Sequence, residues 1–121
     1  MKSIEEALAI FEESAIIQSQ TQETGDYKKG NKYHKLEMQS VVYLYEHGHL
    51  GDLEKFLNHK NVYVRADAAF MLLPISEKRS KAILKEIVKK EHGIQRLLSE
   101  IGLKEWENGE VVYPYQEGFH W

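Results

Sequence analysis

Asn61-Val62-Tyr63-Val64-Arg65-Ala66-Asp67-Ala68-Ala69-Phe70-Met71-Leu72-Leu73-Pro74 is the stretch whose reading decides the fold. Val64, Ala68, Leu72 and Ile75 recur at near-helical spacing, with Ala69 and Leu73 beside them. The alanines let a neighbouring helix approach closely. Asn61 is a good cap before Val62. Pro74 has no amide hydrogen and drives Leu73 out of the α region, so the helix should stop there. Ser76 can open a second helix whose apolar line is Ile83, Leu84, Ile87 and Val88, and Gly93 ends it. From Leu57 to Lys90 the chain therefore reads as helix, hard stop, helix.

Working outward toward the N-terminus, Ser3 followed by Glu6 is a capping box. Ile4, Leu8, Phe11 and Ala15 form one stripe, and the acids Glu5, Glu6, Glu12 and Glu13 lie off it. Glu5 and Glu6 also suit the positive end of the helix dipole. The polar run Gln18 to Thr24 should fray toward Gly25. A second helix opens at Asp26 and ends near Gly48. Tyr27, Asn31, His34, Met38, Val41, Val42 and Tyr45 fall along one broad face, which predicts a central helix with neighbours on two flanks. Lys28, Lys29, Lys32 and Lys35 crowd its start and repel one another, so Glu12, Glu13 and Glu23 are their expected partners. Asp52 should cap a short helix from Leu53 to Leu57.

Toward the C-terminus, Ile94, Leu97, Leu98 and Ile101 give a clean i, i+3, i+4, i+7 helix that reaches about Trp106 or Glu107. Asn108-Gly109 either closes that helix in a left-handed turn or forms a hairpin turn before Val111. The helical period ahead of it favours the first. From Glu110 onward the chain changes character. Tyr113, Tyr115, Phe119 and Trp121 crowd twelve residues, with only Pro114 and Gly118 as breakers. That composition predicts a tail that packs on a helix face or on a partner, because aromatic side chains dominate interface hot spots. The division expected is a helical domain over 1–109 and an aromatic tail over 110–121.

The 121 residues hold no cysteine, which excludes a disulfide framework and a thiolate zinc site. No signal peptide or long apolar run is present, so a cytoplasmic location with no membrane is the expectation. The net charge of −3 conceals a split: residues 1–25 carry −4, 26–60 carry +1, 61–93 carry +3 and 94–121 carry −3.

Val64-Arg65 followed by Ala68-Ala69 and Leu72-Leu73 resembles a HEAT-like helical repeat. Gly25-Asp26-Tyr27-Lys28 with Asn31-Lys32, Leu53 and Leu57 before His59, and a last helix ending at Trp106 and Gly109 extend the likeness over roughly residues 1–109. Together they resemble a small bacterial all-helical HEAT-like family of unknown function. The resemblance implies an all-α fold, a short HEAT-like helical-repeat array of about five or six helices. It further implies that Arg65 braces the turn between units, through Asp67, Asp52 or a neighbouring acid. Separately, if the second and fourth helices touch, Asp26, Asn31 and Arg65, with Asp67, are expected to form a buried polar network that fixes helix register.

Nothing in the sequence supplies a reaction. His47 and His49 are the only close histidine pair, too few ligands for zinc. His34 reads as a hydrogen-bonded core histidine. No serine elbow, HExxH or cysteine nucleophile occurs. The expectation is a non-enzymatic protein-interaction module without cofactor or metal. By analogy with small helical-repeat proteins beside bacterial toxins, its most concrete form is an immunity-type protein binding a basic toxin. The expected contacts are Glu5, Glu6, Glu12 and Glu13 with Tyr113, Tyr115, Phe119 and Trp121. The alternative is nucleic-acid binding through Lys78, Lys81, Lys85 and Lys89, which share one helix face.

Overall fold

The computed structural model describes residues 1–121, and every regular element is helical. Five α-helices, α1 (Ile4–Thr24), α2 (Tyr27–Glu46), α3 (Val62–Leu72), α4 (Glu77–Lys90) and α5 (Ile94–Glu107), are joined by short turns, with a 3-10 helix at Leu50–Phe56 between α2 and α3. The protein is all-α. No helix is long and apolar enough to cross a membrane.

The chain forms two compact units: Met1–Asp52 with Tyr113–Trp121, and Leu53–Val112. The first is a helical hairpin that carries the C-terminal segment. Ser3 Oγ accepts from the Glu6 amide at 3.1 Å and starts α1. Gly25 ends it in the left-handed region, at φ 74° and ψ 16°, where a Cβ would be strained. Asp26 then caps α2 by accepting from the Lys29 amide at 3.2 Å. The expected fraying after Gln18 does not occur, because that polar run has a partner. Gln18 Nε2 donates to Glu37 Oε1 at 3.2 Å, and Thr21 is buried. A Cβ on Gly30 would meet Thr21 Oγ1 at 3.0 Å. Thr21 lies level with Gly30 and Gln18 with Glu37, the order of an antiparallel pair.

That pairing also decides which face of α2 is inside. Glu37, Met38, Ser40, Val41 and Leu44 are buried, while Tyr27, Asn31, His34 and Tyr45 are exposed. The central-helix expectation for α2 is therefore corrected, and His34 is a solvent-facing residue. The sequence pattern misled because Glu37 and Ser40 interrupt the apolar stripe at positions that point inward.

The second unit contains α3, α4 and α5, each packed on the other two. Asn61 Oδ1 accepts from the amides of Tyr63 at 2.8 Å and Val64 at 3.3 Å, opening α3. The helix stops at Leu72, ahead of Pro74, but Leu73 keeps α-helical angles (φ −51°, ψ −42°), which corrects the expectation that the proline drives it out of that region. Val64, Ala66, Ala68, Ala69, Met71 and Leu72 are buried around most of its circumference, so this short helix, not α2, is enclosed on most sides. Ser76 precedes α4 without a side-chain cap; its hydroxyl donates instead to Glu54 Oε1 at 2.8 Å. Asp52 likewise caps nothing, since its Oδ2 takes the His49 Nδ1–H at 2.9 Å. At the far end α5 runs through Trp106 and closes on Asn108, with Gly109 left-handed at φ 69°. The hairpin alternative at Asn108-Gly109 is thereby excluded.

Candidate interaction surfaces

On α1 the acids stand opposite the buried stripe of Ala7, Leu8, Phe11, Ser14 and Ala15. Glu5, Glu6 and Glu13 are exposed and none forms an ion pair; Glu12 is half-buried. Lys28, Lys29, Lys32 and Lys35 are also exposed, and none reaches a carboxylate, which corrects the expected pairing with α1. For Glu12 and Glu13 the reason is register: in the antiparallel hairpin those lysines lie beside the last two turns of α1, away from both acids. Glu23 lies in those turns but is exposed and pairs with none of them. Lys32 instead sits 5.6 Å over the Tyr33 ring. The hairpin thus carries negative charge along the start of α1 and positive charge near the Gly25 turn.

Two aromatic residues of the C-terminal segment are structural. Tyr113 is 2% exposed and offers no surface to a partner, contrary to its place among the expected contacts. Its amide donates to Gln116 Oε1 at 2.7 Å. Tyr115 stacks on Tyr45 with centroids 3.8 Å apart and planes within 4°. Burial pushes both phenols above the ordinary tyrosine range, with Tyr45 adding to the effect on Tyr115. Phe119 and Trp121 form a separate edge-to-face pair at 5.2 Å, and Trp121 is 60% exposed.

Of the expected buried network of Asp26, Asn31, Arg65 and Asp67, two members lack the burial it requires. Asp26 and Asn31 are exposed. Arg65 is half-buried, and its Nη1 donates to the carbonyls of His59 at 2.7 Å and Lys60 at 3.2 Å. Its partners are main-chain oxygens of the turn before α3 in place of Asp67 or Asp52. Asp67 is half-buried on the next part of the same helix.

Along α4, Lys78, Lys85 and Lys89 are exposed without a carboxylate partner, while Lys81 pairs with Glu77 at 3.3 Å. Glu77 also accepts the Trp106 Nε1–H at 2.7 Å. That indole hydrogen bond, and then Lys81, hold its carboxyl below the usual range. Three of the four expected lysines therefore remain available as a cationic row.

The surface that sequence reasoning missed is on α5. Its buried residues are Gln95, Ser99 and Gly102. Its apolar stripe faces outward: Ile94, Leu97, Leu98 and Ile101 are 42, 51, 44 and 42% exposed. Ser99 and Gly102, at i+4 and i+7 from the buried Gln95, are small enough to let α5 lie close to its neighbours, and a Cβ on Gly102 would meet the Phe70 ring at 3.1 Å. That second stripe, free of bulky apolar residues, was the available signal. Complete burial of a Leu or Ile is worth roughly 1.5–3 kcal/mol, so four half-exposed ones forgo several kcal/mol between them.

No group of three or more metal-ligating side chains is assembled. His47 donates Nδ1–H to the Tyr43 carbonyl at 2.8 Å and His49 bonds Asp52, so the two point to separate partners.

No protein-family model matches the chain, and no curated protein matches it. The crystal structure of the protein RPA1889 from Rhodopseudomonas palustris CGA009 is similar, with a TM-score of 0.85 and 16% identity over 93% of this chain and 94% of that one. At that identity the likeness bears on the fold alone.

Proposed function

We propose that this protein is a non-enzymatic interaction module of the immunity type, which binds and neutralises a basic protein toxin inside the cytoplasm. Its helices are read as a short HEAT-like array, with the α3–α4 hairpin as its clearest repeat. The observation that carries the reading is the face of α1: Glu5, Glu6 and Glu13 are exposed, share the side away from the core and are not ion-paired. Uncompensated charge of one sign speeds encounter with a partner of the other sign and disfavours like-charged competitors. Trp121, 60% exposed and set edge-to-face on the half-buried Phe119, supplies aromatic area of the kind that anchors such contacts. The test is co-expression. The wild type should suppress the toxicity of its partner, and Glu5→Lys/Glu6→Lys/Glu13→Lys should not, with helicity unchanged. Equal protection by both proteins removes the acidic face from the account.

A second reading is favoured by one feature, the unpaired row Lys78, Lys85 and Lys89 on α4. Those lysines suit nucleic-acid phosphates, and contacts of that kind weaken steeply with salt. A gel shift at low salt that is lost in the triple Lys→Gln variant supports it. No retention at low salt ends it.

A further inference from the structure

The outward stripe of α5 is independent of the acidic face of α1 and calls for its own explanation. Ile94, Leu97, Leu98 and Ile101 are each more than two-fifths exposed, along one continuous side of a fourteen-residue helix. We propose that a second copy of this chain covers the stripe, α5 packing antiparallel on α5 of its partner about a two-fold axis near Leu97 and Leu98.

The choice of a second copy rests on the stripe's own complementarity. Read antiparallel about Leu97 and Leu98, Ile94 falls opposite Ile101 of the other copy and each leucine opposite a leucine. The charges at the two ends also match. The N-terminal end of α5 has no acid in its first turn and no side-chain cap, and the helix before it ends with Lys89 exposed and unpaired, Lys90 bound to Glu86 at 3.5 Å and Glu91 half-buried. Its amides and dipole present positive charge there. One turn beyond Ile101, on the same side, stands Glu105, exposed and without an ion pair. Antiparallel pairing brings each Glu105 level with the other copy's positive end, and the symmetry makes every such contact twice. The flanking Arg96 and Glu100 neutralise each other at 3.2 Å within one copy and so leave no repulsion between copies. A stripe positive at one end and negative at the other fits its own reverse. A partner of single-signed charge would match only half of it.

The exposed area of four half-covered side chains is on the order of a few hundred Å², against about 800 Å² per partner for a stable complex, which predicts a reversible association. Light scattering and sedimentation on the intact chain should show a mass that climbs from 14.1 kDa toward twice that value as concentration rises through the micromolar range. Leu97→Glu/Leu98→Glu, both at exposed positions, should stay at the monomer mass with unchanged helicity. Glu105→Lys should weaken association severalfold at low salt. The chain has no cysteine of its own, so Leu98→Cys should give a disulfide-linked dimer on mild oxidation while Ala82→Cys on α4 gives little. A constant 14.1 kDa at every concentration overturns the proposal and leaves the stripe to a different protein. A dimer that survives Leu97→Glu/Leu98→Glu overturns it too, by placing the association elsewhere.

Discussion

Arg65 donates to two carbonyls of the turn that precedes its own helix, those of His59 and Lys60. Replacing it by Ala removes both bonds and leaves one half-buried and one exposed acceptor to find water, a cost of about 1–2 kcal/mol. Thermal unfolding of Arg65→Ala should register that loss, and Arg65→Lys should recover only part of it, since a lysine lacks the guanidinium fork. Tyr113 and Tyr115 give a pH signature. Their phenols are raised above the ordinary 10.0 by burial. The folded chain therefore holds these protons where the unfolded chain releases them. Stability is intact below pH 10 and falls as pH rises beyond it. Tyr115→Phe should flatten that alkaline decline in denaturant titrations, and an unchanged decline would count against the burial of this ring. Glu77 works in the opposite direction. Its carboxyl lies below the ordinary 4.5 through Trp106 and Lys81, so its small contribution is present above that pH and fades as pH falls below it. The structural role of Arg65 could be read in the sequence, but its acceptors could not, because main-chain oxygens carry no side-chain signature.

At the scale of elements, helix limits were legible where a cap or a breaker stands. Ser3, Gly25, Asp26, Asn61 and Gly109 all act at the boundaries their chemistry suggests. Facing was less legible. In α2 the inward positions include Glu37 and Ser40, and in α5 they are Gln95, Ser99 and Gly102. Hydrophobic periodicity locates a helix but cannot say which neighbour it meets, and here polar and small residues make the closest approaches. Gly102 tests that packing. A leucine there would drive into the Phe70 ring, which already lies 3.1 Å from the site of a Cβ. Gly102→Leu should cost about 1–3 kcal/mol by overpacking despite the better helix propensity of leucine. Leu97→Gln, by contrast, should change monomer stability by no more than about 1 kcal/mol, because that side chain is half in water. Chemical denaturation of the two variants should separate them clearly; similar midpoints would mean that the buried and exposed faces of α5 have been exchanged.

At the scale of the whole molecule, the all-α fold followed from local patterns, and the protein's surfaces did not. The four regional charges were visible in the sequence, but their distribution on the fold depends on helix register. Register keeps Lys28, Lys29, Lys32 and Lys35 away from Glu12 and Glu13, and Glu5, Glu6 and Glu13 are exposed on α1. It is this uncompensated acidic face that the interaction reading rests on. The most direct test is affinity capture from the native cells with nuclease present, comparing the wild type with Glu5→Lys/Glu6→Lys/Glu13→Lys. The account predicts one stoichiometric basic protein on the wild type, toxic when expressed alone, and absent from the variant. Capture of that protein equally by both, or of ribosomal and nucleoid proteins that vanish with nuclease, would contradict it.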